Sequence, residues 1–288
     1  SARICDNPWA EHTVEKDHDI LILGSGLTAI DAVIGLKDRG HTGKIHLLSR
    51  HGLLPQLHVE PLASQPLPRP FPKTALGLLR AMRGQLGRAP EPARWQGLMD
   101  AMRPHWPDIW LSLPPDEKKR FVRHGVTQWN VHRHRLAPRA DEYLRSGDSI
   151  RIVKGRLRHL KPTEGGMIAT IARGAHVTEL TVGHVINCTG PNPNPEKTHD
   201  HLIENLVASR LARGTDAGVG LDVDAKNRVL DKSGIAQPSL LAMGALTRGH
   251  WWEITAIPEI AHQAQVMSGA IMEYLGILNA ASRVNRRH

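Results

Sequence analysis

The hydrophobic positions in the first fifty residues form a continuous apolar run, then a helical pattern, and then a second apolar run. Residues 19–23, Asp-Ile-Leu-Ile-Leu, are almost continuously apolar and stop at Gly24, as in a strand that is buried on both faces of a parallel sheet. Residues 27–38 have a helical pattern that closes at Gly40, and residues 44–49 form the next apolar run. We therefore predict a strand, turn, helix and strand in succession.

The middle of the chain predicts helices and then an antiparallel meander. Residues 55–72 are a proline-rich loop, and the helical periodicity that follows predicts a helical insertion over about 60–147. We interpret it as a cover for a substrate cleft or as a packing elaboration. The strands predicted beyond it are 150–153 in the parallel sheet, a meander at 156–161, 167–172 and 176–182, and a buried strand at 185–187.

The last third predicts a short helix at 202–213, a hairpin within 220–234, a buried strand at Ser239–Met243 and a terminal helix from Pro258 to Gly276. The apolar positions expected on one face of that helix are Ile260, Ala264, Met267, Ile271 and Tyr274.

The turn after the first strand has the sequence Gly24-Ser25-Gly26-Leu27-Thr28-Ala29. In G-x-G-x-x-A, the first glycine permits a tight turn, the second lets backbone approach a pyrophosphate, and the alanine allows close packing of helix on strand. The context of strand, turn and helix is the one that this motif requires. We predict a dinucleotide site here, with a purely structural turn as the alternative.

The second strand ends in Ser49, Arg50 and His51, and no carboxylate follows before Glu60. An acidic residue at this point would bind the ribose 2′-hydroxyl of NAD and repel a 2′-phosphate. The sequence therefore predicts NADP(H), with a charge-assisted contact from Arg50. In the alternative, Arg50 is solvated and the selectivity between coenzymes is slight.

Composition excludes several other classes of protein. Cys5 and Cys188 cannot form a disulfide scaffold and suit a reducing cytoplasm, and no apolar run reaches the roughly 18–20 residues of a membrane span. The net charge is +9, with 19 Lys and Arg against 9 Asp and Glu in residues 60–160. No nucleic-acid-binding motif accompanies this charge, which argues against nucleic acid. His132-x-His134 has no Cys, Asp or Glu beside it, so we predict no metal site.

Several segments together resemble a known family. They are "DNPW" at 6–9, "ILGSGLTAIDAV", "LLSRHGLLPQLH", "VHRHRLAP", "INCTGP" and "LLAMGALTRGHWWEITAIPEIAHQA". Over almost the whole chain they resemble the FAD-NAD(P)-binding family of bacterial proteins, within the glutathione-reductase-like flavoproteins that bind two dinucleotides. The resemblance implies an α/β fold: a Rossmann-like NAD(P)-binding domain at 18–188 with the meander and helical insertion, a linker at 1–17, and the C-terminal part of an FAD-type Rossmann-like domain at 189–288.

The same resemblance assigns residues to the cofactors. It implies that Thr189, Gly190 and Pro191 lead the chain back from the NAD(P) domain to the FAD domain. It places Gly244, Ala245, Trp252, Glu253 and Ile254 beside the flavin, with the terminal helix aiming its N-terminus at the flavin ring. Related flavoproteins have an aspartate where this chain has Ala245, so backbone contacts would have to hold the ribityl chain.

The FAD glycine motif of the family lies in an earlier segment. Only 18 residues precede the first strand here, and a unit of strand, helix and strand needs roughly 30. We expect the chain to be the C-terminal portion of such a flavoprotein, to receive the missing segment from elsewhere, or to have lost its flavin.

The function predicted for the complete protein is an NADPH-dependent flavoprotein oxidoreductase that passes hydride from NADPH to FAD, with a monooxygenase as the leading interpretation. Cys188 has no neighbouring cysteine, which argues against a disulfide reductase. Glu253 is a weak candidate for a catalytic proton donor, and a structural role is the alternative. The alternative function is a non-catalytic NADP(H)-binding or interaction module on a decayed scaffold. The substrate is a small molecule that these residues do not identify.

Overall fold

The structure is a computed structural model that describes residues 3–10, 14–87, 91–145 and 149–285, with side chains as far as residue 276. The chain divides into two compact units. The first comprises Ser1–Ser64, Pro90–Met99 and Val126–Gly190, and the second comprises Gln65–Ala89, Asp100–Gly125 and Pro191–His288. The segment 60–147, predicted as one helical insertion, therefore contributes to both units.

The strands in chain order are β1 Ile4–Cys5, β2 Ile20–Leu23, β3 Ile45–Ser49, β4 Ile150–Lys154, β5 Arg156–Pro162, β6 Met167–Arg173, β7 His176–Val182, β8 His184–Asn187, β9 Arg228–Leu230 and β10 Ala236–Leu241. The α-helices are α1 Leu27–Asp38, α2 Ala75–Leu86, α3 Pro92–Met102, α4 Trp106–Ser112, α5 Pro115–His124, α6 Val126–Arg133, α7 Pro138–Arg145, α8 His201–Ala208 and α9 Ile257–Asn285.

The first unit is built on a parallel sheet with the strand order β1-β8-β2-β3-β4. Ile20, Leu21 and Ile22 of its central strand are fully buried, as the continuous apolar run predicts. The return of residues 150–153 to this sheet and the buried strand before Cys188 are also confirmed.

Different layers cover the two faces of this sheet. Ile22 packs in one cluster with Ile30 and Val33 of α1, and Leu21 packs in another with Met167 and other residues of the meander β5-β6-β7. Each fully buried Ile or Leu side chain stabilises the fold by about 1.5–3 kcal/mol relative to exposure. Because these strands are parallel, the carboxyl ends of β2, β3 and β8 lie side by side, and we call this end of the sheet its carboxyl edge.

One element of the first unit, the strand β1, lies within residues 1–17, where the sequence predicts a linker. Ile4 and Cys5 pair in parallel with Val185 and Ile186, so the short strand β1 forms an edge of the sheet. A run of two residues carries no periodicity, which is why the pattern does not reveal it. The helices α6 and α7 belong to this unit, and α7 packs against α1.

The second unit contains α8 and the antiparallel hairpin of β9 and β10. The predicted helix 202–213 is too long, because α8 ends at Ala208 and Arg210 adopts a φ of +63°. The buried strand predicted at Ser239–Met243 is also wrong. The strand β10 ends at Leu241 and is half-exposed; among the described residues its strand partner is β9, in a two-stranded sheet.

The terminal helix departs from its predicted end and its predicted face. α9 continues through Gly276 to Asn285, because Gly276 does not take the left-handed conformation that ends a helix. Ile271 is 41% exposed and Ala264 is exposed. Among the residues of this helix up to Gly276, whose side chains the structure describes, Gln263 is the buried one. Across the described ranges of the chain, none of the helices combines the length and apolar character that crossing a bilayer requires.

Candidate functional site

Gly24 ends β2 at the carboxyl edge of the parallel sheet. Its φ is +111°, and a Cβ atom here would lie 2.7 Å from the carbonyl oxygen of Cys188. Its N–H donates to the carbonyl of Leu48 at 2.8 Å, which joins the turn to β3. Both the backbone conformation and the close approach of β8 therefore require glycine at this position.

Gly26 is different, because no contact among the described residues explains the absence of a side chain. Its φ is −82°, which any residue can adopt, and a Cβ atom would meet no atom within 4 Å. Gly26 is the N-cap of α1, which has no side-chain cap and no acidic residue in its first turn. Ala29 is fully buried, as close packing on the strand demands. The start of α1 is thus open and electropositive.

The loop after β3 is pinned beside this turn by two side-chain hydrogen bonds. Ser25 donates to the carbonyl of Leu53 at 2.6 Å, and Ser49 Oγ accepts from the N–H of Gly52 at 3.1 Å. Gly52 has a φ of +64°, which closes the loop tightly. Leu27 and Thr28 continue from the glycine turn into α1.

Two predicted residues occupy the tip of this loop. Arg50 and His51 are exposed, and within the part of the chain that the structure describes neither side chain has a hydrogen-bond or ion-pair partner. The parallel register places the exposed Lys154 beside Ser49, and Gly52 approaches the stem of Lys154. The carboxyl ends of β3 and β4 therefore present two cations, Arg50 from the loop and Lys154 from β4.

The turn after β8 completes this edge of the first unit. Thr189 donates to Asn187 Oδ1 from its hydroxyl at 2.7 Å and from its N–H at 3.2 Å, and Gly190 has a φ of +75°. Pro191, the next residue, is exposed and begins the second unit. Burial raises the pKa of the Cys188 thiol to about 11, so that thiol stays protonated and is a poor nucleophile.

The second unit has a buried polar network around Gln263. Its amide oxygen accepts from the N–H of Gly244 at 2.7 Å, while its nitrogen donates to Asn227 Oδ1 at 2.6 Å and to the Thr247 hydroxyl at 2.9 Å. Trp251 Nε1 also donates to Asn227 Oδ1, at 2.7 Å. The Gly244 N–H is thus committed to the protein itself, and Ala245 beside it is exposed and has no polar side-chain atom.

Aromatic rings pack beside this network. Trp252 stacks on Trp110 with ring centroids 4.5 Å apart, and the guanidinium of Arg248 lies 4.4 Å from the centre of the Trp252 ring. Phe121 meets Trp252 edge to face at 5.2 Å. A cavity of about 430 Å³ lies against Trp252 and is lined also by Trp251, Ile254, Asn227, His262 and Gln263.

Glu253 is buried, with 4% of its surface exposed, and has a φ of +76°. Burial lowers the pKa of Arg248, and the negative charge of Glu253 opposes that shift. Arg103 binds Glu259 through two hydrogen bonds, which raise its pKa, and the charge of Glu253 adds to that effect. The burial of Glu253 and its positive φ fit a structural role, and its predicted part as a proton donor stays a prediction.

Sequence reasoning missed three residues of these arrangements. Lys154 becomes visible only from the register of β4 against β3, which follows from the predicted return of residues 150–153 to the sheet. Asn227 and Gln263 are brought together from positions 36 residues apart. In the sequence, the one indication of this contact is a glutamine, Gln263, inside an apolar helical pattern.

Comparison with known proteins gives a fold but no family. No model of a protein family matches the chain, and no curated protein matches its sequence. The reduced form of ornithine hydroxylase from Pseudomonas aeruginosa matches 96% of this chain over 57% of its own length, with 13% identity and a TM-score of 0.54. L-lysine 6-monooxygenase from Pseudomonas syringae matches 91% of this chain over 54% of its own length, with 17% identity and a TM-score of 0.53.

The cadaverine monooxygenase of Erwinia amylovora, solved with bound FAD, matches 91% of this chain over 52% of its own length, with 13% identity and a TM-score of 0.53. The chain thus spans about half the length of each of these structures. At these identities the likeness is one of fold, and it confirms the predicted α/β architecture. The chain shares the Rossmann-type fold of flavoprotein monooxygenases over about half of their length.

Proposed function

We propose that this chain binds NADP(H) at the carboxyl edge of the parallel sheet and supplies the NADPH-binding part of a flavin-dependent oxidoreductase of the monooxygenase type. The observation that carries the proposal is Gly26. It lies at the uncapped start of α1, it has room for a side chain, and yet it has none. A glycine that the protein itself does not need is expected where a ligand must touch backbone.

The residues around the turn fit the coenzyme NADP(H). The pyrophosphate would lie against the N–H groups that begin α1, where the helix dipole favours an anion. The 2′-phosphate would be held by Arg50, with Lys154 as a second cation at the same strand ends. A charge-assisted hydrogen bond contributes about 1.5–3 kcal/mol, or roughly 10- to 100-fold in affinity.

The second unit fits FAD less well. The N–H of Gly244 already binds Gln263, and Ala245 offers no carboxylate to a ribityl chain. In the described ranges of the chain, the turn at Gly24–Ala29 is also the one place where a glycine motif joins a buried strand to a helix. Bound FAD would accept the hydride of NADPH, and the flavin part of the proposal rests on the fold of the monooxygenases.

This chain's own contribution would be to bind and orient the coenzyme. The two free cysteines, Cys5 and Cys188, fit a reducing compartment, and we keep the cytoplasm as the proposed location. The raised pKa of Cys188 supports a chemistry that does not use a thiolate.

The test combines binding with the visible spectrum of the purified protein. We expect NADPH to bind in calorimetry at least tenfold more tightly than NADH, and Arg50→Ala to reduce that ratio by roughly 10-fold or more. The matched control is Arg173→Ala, which removes an exposed arginine from the end of β6. Equal affinities for the two coenzymes in the unmodified chain would contradict the proposed 2′-phosphate site.

A second candidate function is a non-catalytic NADP(H)-binding module. The hydrogen bond from the Gly244 N–H to Gln263 favours it, because that bond occupies a backbone donor that would otherwise be free to contact a flavin. A yellow protein that NADPH bleaches would support the oxidoreductase. A colourless protein that binds NADPH, and that takes up no added FAD, would support the module.

A further inference from the structure

A cluster of metal-ligand residues lies at the amino edge of the parallel sheet, in the first unit. Glu15, His18 and His184 each offer one ligand atom, and these three atoms lie within 4.8 Å of one another. Glu15 Oε2 is 3.7 Å from His18 Nδ1, and it forms a hydrogen bond with His184 Nε2. This edge is opposite to the one that carries Gly24, so the cluster is separate from the proposed coenzyme site.

The fold holds both histidines closely. His184 is the first residue of β8 and is buried. A Cβ atom on Gly183 would lie 2.6–2.9 Å from side-chain atoms of His18, and one on Gly43 would lie 2.3 Å from the His18 carbonyl oxygen. Gly183 thus makes room for the His18 side chain, and Gly43 makes room for the His18 backbone.

The nitrogen that faces the cluster is left without a hydrogen bond. His18 Nδ1 is buried, and over the described residues it has no hydrogen-bond partner, although Glu15 is within ion-pair distance. Buried polar atoms are nearly always satisfied, so such an atom calls for an explanation.

We propose that Glu15, His18 and His184 bind a divalent transition-metal ion, with Zn²⁺ as the best match. Two imidazole nitrogens and one carboxylate oxygen are a frequent zinc set, with bonds of about 2.0–2.2 Å in tetrahedral geometry. Neighbouring ligand atoms in that geometry are about 3.4 Å apart, close to the observed 3.7 Å from Glu15 to His18. The ion would replace the hydrogen bond between Glu15 and His184. The exposure of Glu15 leaves a fourth position to water.

The ion would act as a clamp within the first unit. It would join the segment before β2, which carries Glu15 and His18, to the beginning of β8. The sequence does not reveal the site, because His184 lies 169 residues from Glu15 along the chain. The pair His132-x-His134, for which the sequence analysis predicts no metal site, is not part of this cluster.

The test titrates the full 288-residue chain with Co²⁺ and Zn²⁺. We expect one site per chain, a tetrahedral Co²⁺ visible spectrum that Zn²⁺ abolishes, and a melting temperature that rises with Zn²⁺. Glu15→Gln and His18→Gln are each expected to weaken the affinity at least tenfold. The matched control is His199→Gln with His201→Gln, which removes two exposed histidines beside Glu204 and should change nothing.

Two outcomes would overturn the proposal. One is the absence of a stoichiometric site in the unmodified chain. The other is a site that persists with unchanged affinity in both Glu15→Gln and His18→Gln, which would place the bound ion elsewhere on the chain. Far-ultraviolet circular dichroism of each variant reports on folding independently of NADPH binding. A metal site without NADPH binding, or the reverse, would separate this proposal from the proposed function.

Discussion

Alanine at Gly24 and alanine at Gly26, the two glycines of the turn after β2, should change the free energy of unfolding in opposite directions. Gly26→Ala introduces a Cβ into space with no atom within 4 Å and at a φ of −82°. Replacing glycine by alanine at such a compatible position stabilises a protein by about 0.4–1 kcal/mol, because the unfolded chain loses freedom. Gly24→Ala places its Cβ 2.7 Å from a backbone carbonyl at a φ of +111°, and a strained backbone of this kind alone costs about 1–3 kcal/mol.

Binding should separate the two effects. If NADPH binds as proposed, the new methyl group of Gly26→Ala lies where the pyrophosphate approaches the backbone, and we expect the loss of at least one charge-assisted backbone hydrogen bond. The expected cost is about 1.5–3 kcal/mol, or roughly 10- to 100-fold in the Kd for NADPH. The assays are urea denaturation for stability and calorimetry for NADPH.

The control is Gly165→Ala, in the turn between β5 and β6. A Cβ there also meets no atom within 4 Å, and the position is away from the coenzyme edge, so binding should not change. The reasoning is refuted if Gly26→Ala folds as expected and binds NADPH as tightly as the unmodified chain. In that case Gly26 would be open for a reason unrelated to the coenzyme.

Further predictions concern the interior of both units. Gln263→Leu leaves the Gly244 N–H and the Thr247 hydroxyl without their partner and should lower the free energy of unfolding by about 2–5 kcal/mol in urea, whereas Gln265→Leu on the exposed side of the same helix should change it little. A similar loss in both variants would mean that the network does not stabilise the unit. Burial raises the pKa of Cys188 from 9.0 to about 11, so the folded state holds this proton more tightly, and the resulting stability is complete below pH 9 and is lost as the pH rises to 11. Cys188→Ala should therefore show a smaller decrease in unfolding free energy between pH 9 and 11, by up to about 2–3 kcal/mol, and parallel pH profiles would contradict the burial of this thiol.

The sequence predicts the strand, turn and helix at the carboxyl edge of the parallel sheet well, because the information for them is local. Ile20–Leu23 is apolar without interruption, Gly24 must turn sharply, and α1 begins and ends where the pattern indicates. The hydrophobic period and the glycine spacing are set within a few residues, so no distant contact is needed to interpret them.

The remaining differences arise from contacts between distant parts of the chain. The sequence pattern predicts the wrong buried face for α9. The side chain of Gln263 is buried because it donates hydrogen bonds to Asn227 and Thr247, which lie far from it along the chain. The strand β10 pairs with β9 in a two-stranded sheet and is half-exposed. Its apolar composition does not indicate this exposure. The metal-ligand cluster depends on bringing His184 back beside Glu15.

The most direct test of the central claim is to locate the coenzyme on the protein. Amide chemical shifts of the isotope-labelled chain should be followed during titration with NADPH. We expect the largest changes at Gly24–Ala29 and at Ser49–His51, with the changes at Ser49–His51 much smaller when NADH replaces NADPH. Shifts confined to other parts of the chain, or no saturable shifts at millimolar NADPH, would contradict the account.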